Sequence, residues 1–227
     1  MMRGEGGGRG RRLPVVLTAD ESERLVMAAG RRYPSNLRNR ALLLVMLDAG
    51  LRLSECLHLE WRDLELLTGE LKVRQGKGRK DRLVWLGERA VEALVAWRRR
   101  QVDEVSRRGG NLVHAPAFST LAGGALGARY VQRMVERLAG RARIFYKRVS
   151  PHTLRHTFAT DLYRRTRDLA LVAKALGHSS ITTTTIYTHL TDPELETAMR
   201  ALRATPAQRN GGPDPEQGRQ TPQIQRQ

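Results

Sequence analysis

The 227-residue chain holds one cysteine, no long apolar run, and too few acidic residues to balance its bases. A single thiol, Cys56, excludes an internal disulfide and fits a reducing compartment, and its apolar setting marks it as an inert structural residue. The longest apolar stretch, Ala41 to Leu47, is far too short to cross a bilayer. The Gly/Arg-rich start also lacks the apolar segment of a secretory signal, so a cytoplasmic protein with no membrane partner is expected. No internal repeat is visible. The shortage of acid is the most informative absence, because 23 Asp+Glu against 40 Lys+Arg leave a formal charge of +17. Such a balance points to a polyanionic partner, nucleic acid before a membrane surface. Many of the bases fall inside periodic segments, so the folded body itself should carry the positive field.

What is present reads as one domain with tails. Residues 1–16 form a basic, Gly/Arg-rich arm expected to be flexible. Thr18 and Glu21 have capping-box spacing and open a helix that ends near Gly30. A second, largely apolar helix runs from about Asn36 to Gly50, and Ser54 is placed to cap a short helix through Leu57 and Leu59. Between Trp61 and Leu86 short runs alternate with turn residues: Asp63 to Leu67, Leu71 to Arg74 and Arg82 to Leu86. This pattern predicts a three-stranded antiparallel sheet whose second hairpin is basic and flanked by glycine. Helices follow over Glu88 to Arg108, Gly127 to Ala139, a segment opening at Ser150-Pro151, and Asp168 to Leu176, the last closed by Gly177. A final helix is expected at Pro193 to Ala204, and residues 205–227 form a Pro/Gln-rich tail expected to be disordered.

Ser150-Pro151-His152-Thr153-Leu154-Arg155 is a phosphate site in outline. Ser150 suits the N-cap and Pro151 the first helical position, while His152 and Arg155, three apart, leave one face near a helix terminus that favours negative charge. Arg52 lies at an element boundary where its guanidinium can fork onto a phosphate. Lys77 sits at the tip of the Gly76-Lys77-Gly78 hairpin, His178 directly after Gly177, and Tyr187 nine residues further on. Each of these alone reads equally well as a surface charge, a cap or a half-buried aromatic.

Taken together, Ala49-Gly50-Leu51-Arg52-Leu53-Ser54-Glu55, Gly76-Lys77-Gly78 with Lys80-Asp81-Arg82, His152-Thr153-Leu154-Arg155-His156, Leu176-Gly177-His178 and Ile186-Tyr187-Thr188-His189 resemble the tyrosine recombinase (phage integrase) catalytic domain. The resemblance extends over residues 17–204. It implies an α+β fold, mainly helical with a small three-stranded antiparallel sheet. It also implies catalytic roles for Arg52, Lys77, His152, Arg155, His178 and Tyr187, with Glu55 supporting them from behind, and a double-stranded DNA partner.

The residues suit that chemistry. A tyrosine hydroxyl attacks a backbone phosphodiester, exchanging one phosphodiester for another, so the step is reversible and needs no ATP. Arg52 and Arg155 are suited to the charge that builds on the non-bridging oxygens, with His178 as a third donor. His152 is the leading acceptor of the phenol proton and Lys77 the leading donor to the leaving oxygen. No cluster of carboxylates and histidines has metal-ligand spacing, so a mechanism without metal or cofactor is expected. The resemblance also implies that most family members carry an N-terminal helical domain, and with fewer than twenty residues before the catalytic region this chain is expected to lack it. The expected activity is site-specific recombination, as in mobile-element integration or excision, through a 3′-phosphotyrosyl intermediate. A strand-swivelling topoisomerase and a DNA-binding regulator with idle catalytic residues are the alternatives. The apolar stripe Leu195, Met199, Leu202 predicts a helix that must dock on something, and the resemblance implies that it reaches a neighbouring subunit, hence the expectation of a monomer in solution and a homotetramer on paired DNA sites.

Overall fold

The computed structural model describes residues 14–74, 81–109, 115–178 and 184. Lys77, Tyr187, most of the basic arm, the helix expected at Pro193 to Ala204 and the tail lie outside the described residues.

Thr18 opens α1 (Ala19–Ala28) with a complete capping box: the Glu21 N–H donates to Thr18 Oγ1 at 3.2 Å and the Thr18 N–H to Glu21 Oε2 at 2.6 Å. Helix α2 (Pro34–Ala49) begins two residues before the expected Asn36, because Pro34 with its fixed φ takes the first helical position behind an extended Tyr33. It is buried on most faces, as its composition requires, and ends on Gly50 at φ +58°. A Cβ at Gly50 would overlap the Phe158 ring, so glycine here serves both the left-handed turn and a close approach.

The short helix α3 (Leu53–Leu57) departs from expectation. Its N-cap is Arg52, in extended conformation, and Ser54 lies inside the helix. The carboxylate of Glu55 reaches back to accept from the Arg52 N–H, one of the donors that a helix start leaves without an intrahelical partner.

A 3-10 turn at Trp61–Asp63 leads into the sheet: β1 (Leu64–Glu65), β2 (Glu70–Val73) and β3 (Arg82–Trp85), antiparallel and in sequence order. Strands β1 and β3 are shorter than the runs suggested, and β2 is shifted one residue toward the N-terminus. Register pairs Leu71 with Val84 and Val73 with Arg82. Leu71, Val73, Arg82 and Val84 are buried, while Lys72, Leu83 and Trp85 are exposed, so Arg82 shares the inward face with apolar residues.

Helix α4 (Glu88–Arg107) buries Ala90, Leu94 and Trp97, and Gly109 follows at φ +67°. Then come α5 (Ala128–Arg141), α6 (Pro151–Thr166) and α7 (Leu169–Leu176), the last capped by Asp168 and closed by Gly177 at φ +65°. Helix α2 is the hub, packed on both α4 and α6. Leu43, Met46, Leu51, Leu71, Leu94, Trp97, Phe118, Met134 and Leu154 share its core. A smaller cluster of Ala159, Val172 and Leu176, with Phe158 and Leu162, seats α7 on α6. Among the described residues no helix is long and apolar enough to cross a membrane.

Candidate active site

The site is assembled where α2 ends, α3 begins and α7 ends. The left-handed turn at Gly50 leaves its carbonyl facing α6, where it accepts a hydrogen bond from Arg155 Nη1 at 2.6 Å. Two residues later the Glu55 carboxylate, accepting from the Arg52 N–H, fixes the start of α3 and becomes the centre of the arrangement. It accepts from the Arg52 N–H at 2.8 Å, from Arg52 Nη1 at 2.8 Å, and from Arg82 Nη1 and Nη2 at 3.1 and 2.9 Å. Arg155 Nη1 stands 3.9 Å from the same carboxylate. The side chains of Arg82 and Arg155 are 7% exposed and that of Glu55 9%, whereas Arg52 keeps 30% exposed. Burial works against the Glu55 charge, but the hydrogen bonds from Arg82 and from the Arg52 N–H together outweigh it and hold the carboxyl below its ordinary range. Three guanidinium groups sharing one carboxylate make a region ready for an anion.

The end of α7 supplies the other half. Its last turn leaves carbonyls without helical partners, and two successive ones are taken by arginines: Ala175 O by Arg82 Nε at 2.8 Å and Leu176 O by Arg155 Nη2 at 2.8 Å. Beyond Gly177, the His178 N–H returns to Ala173 O at 3.0 Å, which fixes where the imidazole starts. Its Nε2 lies 3.1 Å from Arg155 Nη2, and since a guanidinium can only donate, Nε2 must be the accepting nitrogen. The proton is therefore on Nδ1, which donates to Thr184 Oγ1 at 3.0 Å. Burial, then the charges of Arg155, Arg52 and Arg82, push the His178 pKa down to about 4, so the ring is neutral at pH 7.

Helix α6 begins as its sequence suggested, with extended Ser150 at the N-cap, its N–H donating to Thr153 Oγ1 at 3.1 Å, and Pro151 at the first helical position. His152 on that first turn is exposed, and Arg155 one turn later is buried. His156 is half-buried, and burial, His152 and Arg155 lower its pKa. Thus the fold brings Arg52, Glu55, Arg155 and His178 into one bonded group, with His152 on the same helix as Arg155. Lys77 and Tyr187 lie outside the described residues. Sequence reasoning passed over two members of the group, Arg82 and the fully buried Thr184. For Arg82 the signal was there: its parity in β3 matches Val84.

Outside this centre, Arg129, Arg133, Arg137 and Arg141 recur every four residues on α5 and are all exposed, followed by exposed Arg143 and Arg148 on the way to Ser150. Like charges at this spacing destabilise a helix by a few tenths of a kcal/mol per pair, roughly 0.2–0.5 each, so such a stripe is suited to a polyanion that neutralises it.

Residues 15–194 match the family model described as the phage integrase family. The chain belongs to the phage integrase family. This member is 47% identical over 180 residues to the tyrosine recombinase XerC of Xanthomonas campestris pv. campestris, a match covering 79% of this chain and 52% of that protein. It therefore spans about half the length of such relatives. Among solved structures, it is similar to the XerA recombinase at TM-score 0.70 and 34% identity, covering 86% of this chain and 67% of that one. It is also similar to the XerH site-specific recombinase bound to a palindromic difH substrate in a post-cleavage complex, at TM-score 0.72 and 32% identity, covering 85% and 54%. The mainly helical fold with a small antiparallel sheet is the one the motifs implied.

Proposed function

We propose that this chain is the catalytic domain of a site-specific recombinase that cuts and rejoins double-stranded DNA through a 3′-phosphotyrosyl intermediate. The observation that carries this reading is the Glu55-centred group of three arginines joined to a neutral His178, in a chain of the phage integrase family. The polarity of the intermediate follows the family resemblance.

In the proposed step, the Tyr187 oxygen attacks phosphorus, the bond to the 5′-bridging oxygen breaks, and the leaving strand ends in a hydroxyl. Arg52, its side chain 30% exposed and its Nη1 held by Glu55, is suited to the non-bridging oxygens, and Arg155 adds its charge beside it. His178 enters as a neutral group whose one N–H, on Nδ1, becomes a third donor on leaving Thr184. His152, exposed at the α6 terminus, takes the phenol proton, and Lys77 delivers a proton to the leaving oxygen. The α5 arginine stripe supports DNA backbone contacts flanking the site. Recombination joins two sites, so the working form is a homotetramer on paired sites, built from monomers.

The test is relaxation of supercoiled plasmid together with trapping of protein–DNA adducts under denaturing conditions. The wild type should relax plasmid and form an adduct, and Tyr187→Phe should do neither while still binding DNA. Wild-type protein that binds but never forms an adduct would leave a DNA-binding protein only. Lys77→Ala should slow cleavage of ordinary DNA by about a hundredfold or more, yet have far less effect where sulfur replaces the 5′-bridging oxygen, since sulfur leaves without a proton. Equal slowing on both substrates would remove Lys77 from the proton-donor role.

A further inference from the structure

Strand β3 turns a charged residue inward. Arg82 pairs with Val73 across the ladder and lies on the face of Leu71 and Val84, with its side chain 7% exposed. Each of its three nitrogens donates: Nη1 and Nη2 in a two-pronged fork onto Glu55 at 3.1 and 2.9 Å, and Nε to the carbonyl of Ala175 at 2.8 Å. A buried ion pair adds little net stability over well-packed apolar residues, so stability by itself does not account for an arginine here. Its geometry supplies a better account. Through Glu55 it reaches the backbone and the guanidinium of Arg52. Through Ala175 it holds the last turn of α7, whose next carbonyl, Leu176 O, holds the Arg155 that bonds His178. In the other direction, the Val73–Arg82 pair is the last before the connection containing Lys77.

We propose that Arg82 is a positioning residue for strand cleavage: its fork on Glu55 and its bond to Ala175 lock the Arg52 arm, the His178 arm and the strand leading to Lys77 into one unit. Arg82 acts through these residues and does not touch DNA. The inference rests on the phosphotyrosyl reading above.

Its consequence is a specific pH dependence. The groups facing Glu55 are Arg52 at the start of α3, Arg82 from β3 and Arg155 from α6, with Cys56 beside it in sequence; His178 lies in the field of the same three arginines and His156 in that of Arg155. Burial alone raises a carboxyl pKa, and Arg82 is the first of the partners that hold Glu55 low. Without Arg82, Glu55 takes up a proton at a higher pH and releases Arg52.

The experiment compares wild type, Arg82→Gln, Arg82→Lys, Glu55→Gln and the Arg82→Gln/Glu55→Gln double variant. Single-turnover adduct formation on supercoiled plasmid is followed across about pH 5.5–8.5, with DNA affinity and thermal melting measured alongside. Arg82→Gln should lower the cleavage rate constant by about tenfold to a hundredfold while leaving DNA affinity within about twofold. The ratio of its rate to wild type should fall as pH falls, since titrations common to both proteins cancel. In the double variant the ratio to Glu55→Gln should lose that slope. Arg82→Lys keeps a charge near Glu55 and should slow cleavage less, with no new slope. An unchanged rate constant with only a smaller active fraction, or equal slowing at every pH, would make Arg82 a structural residue and overturn the proposal.

A readout without DNA separates this inference from the functional reading. In Arg82→Lys, which keeps the charge that itself depresses His178 but loses the fork on Glu55 and the bond to Ala175, the His178 ring titration followed by NMR should move up from about 4 toward the ordinary histidine value, and Arg82→Gln should move it further. An unmoved His178 overturns the link to α7 even if wild-type cleavage is normal. A shifted His178 in a protein that never cleaves sustains the link while the functional reading falls.

Discussion

Two glutamates in this protein do the same thing at two helix starts, and their company differs. Glu21 and Glu55 each occupy the third helical position and reach back to the N-cap N–H, at 2.6 and 2.8 Å. Glu21, 1% exposed, then meets a single cation, Lys147 Nζ at 2.7 Å, together with the Tyr146 hydroxyl; that same ammonium donates to Val16 O at 2.7 Å. The pair is balanced, and it ties α1 to the segment before α6. Glu55 is instead shared by Arg52, Arg82 and, at 3.9 Å, Arg155. Where one acid meets one base the charges cancel and the product is a fastened fold; where one acid orients three guanidiniums, the remaining charge is available to an anion.

The sharpest way to break this contrast is to alter the cations. Arg52→Lys and Arg155→Lys should each lower single-turnover cleavage by about a hundredfold or more, because a point charge cannot reproduce the planar fork. Lys147→Arg in the balanced cluster should leave the rate constant unchanged. Wild-type cleavage in the Arg52 variant would remove that arginine from the site.

Next in size is the acid of the balanced cluster. Glu21→Gln leaves the Lys147 charge without its carboxylate and should cost about 2 kcal/mol of stability in urea unfolding, with no change in cleavage per folded molecule. A variant as stable as wild type would make Glu21 dispensable to the fold.

The pH windows are confined to acid conditions. Glu21 is held at about 2: burial works against its charge, but bonds from Lys147, the Thr18 N–H and Tyr146 outweigh it together. A depressed carboxyl contributes stability that is present above its unfolded value and lost as pH falls toward the folded one, here from roughly 4.5 down to about 2. His178, depressed by burial to about 4, works at higher pH: the unfolded chain takes up the proton first, so stability is lost as pH falls from about 6.5 to about 4. Urea midpoints across pH should lose the lower window in Glu21→Gln and the upper one in His178→Gln. A window that persists in its own variant belongs to another group.

Much of this was legible in the sequence because single residues dictate backbone shape. Gly50 and Gly177 stop helices in left-handed turns, Ser150-Pro151 opens α6, and alternation marks the sheet. The α3 start was misplaced because Ser54 is a preferred cap and Arg52 is not, yet Glu55, three residues after Arg52, decides the frame. Arg155 looked like a surface grip beside His152; its burial depends on carbonyls at Gly50 and Leu176, residues 105 and 21 positions away, which no local pattern reveals. Arg82 was masked by its neighbours, since exposed Leu83 and Trp85 look more like core than it does. Thr184 sits in a run of threonines where nothing in the sequence distinguishes one from the next.

The central claim is that the charge oriented by Glu55 serves a tyrosine that becomes joined to DNA. It is tested most directly by digesting the trapped adduct with protease and nuclease and locating the modified residue by mass spectrometry. The account predicts a phosphonucleotide on Tyr187, linked through the 3′ phosphate. A nucleotide on Tyr130, Tyr146 or Tyr163, or a 5′ linkage, would contradict it.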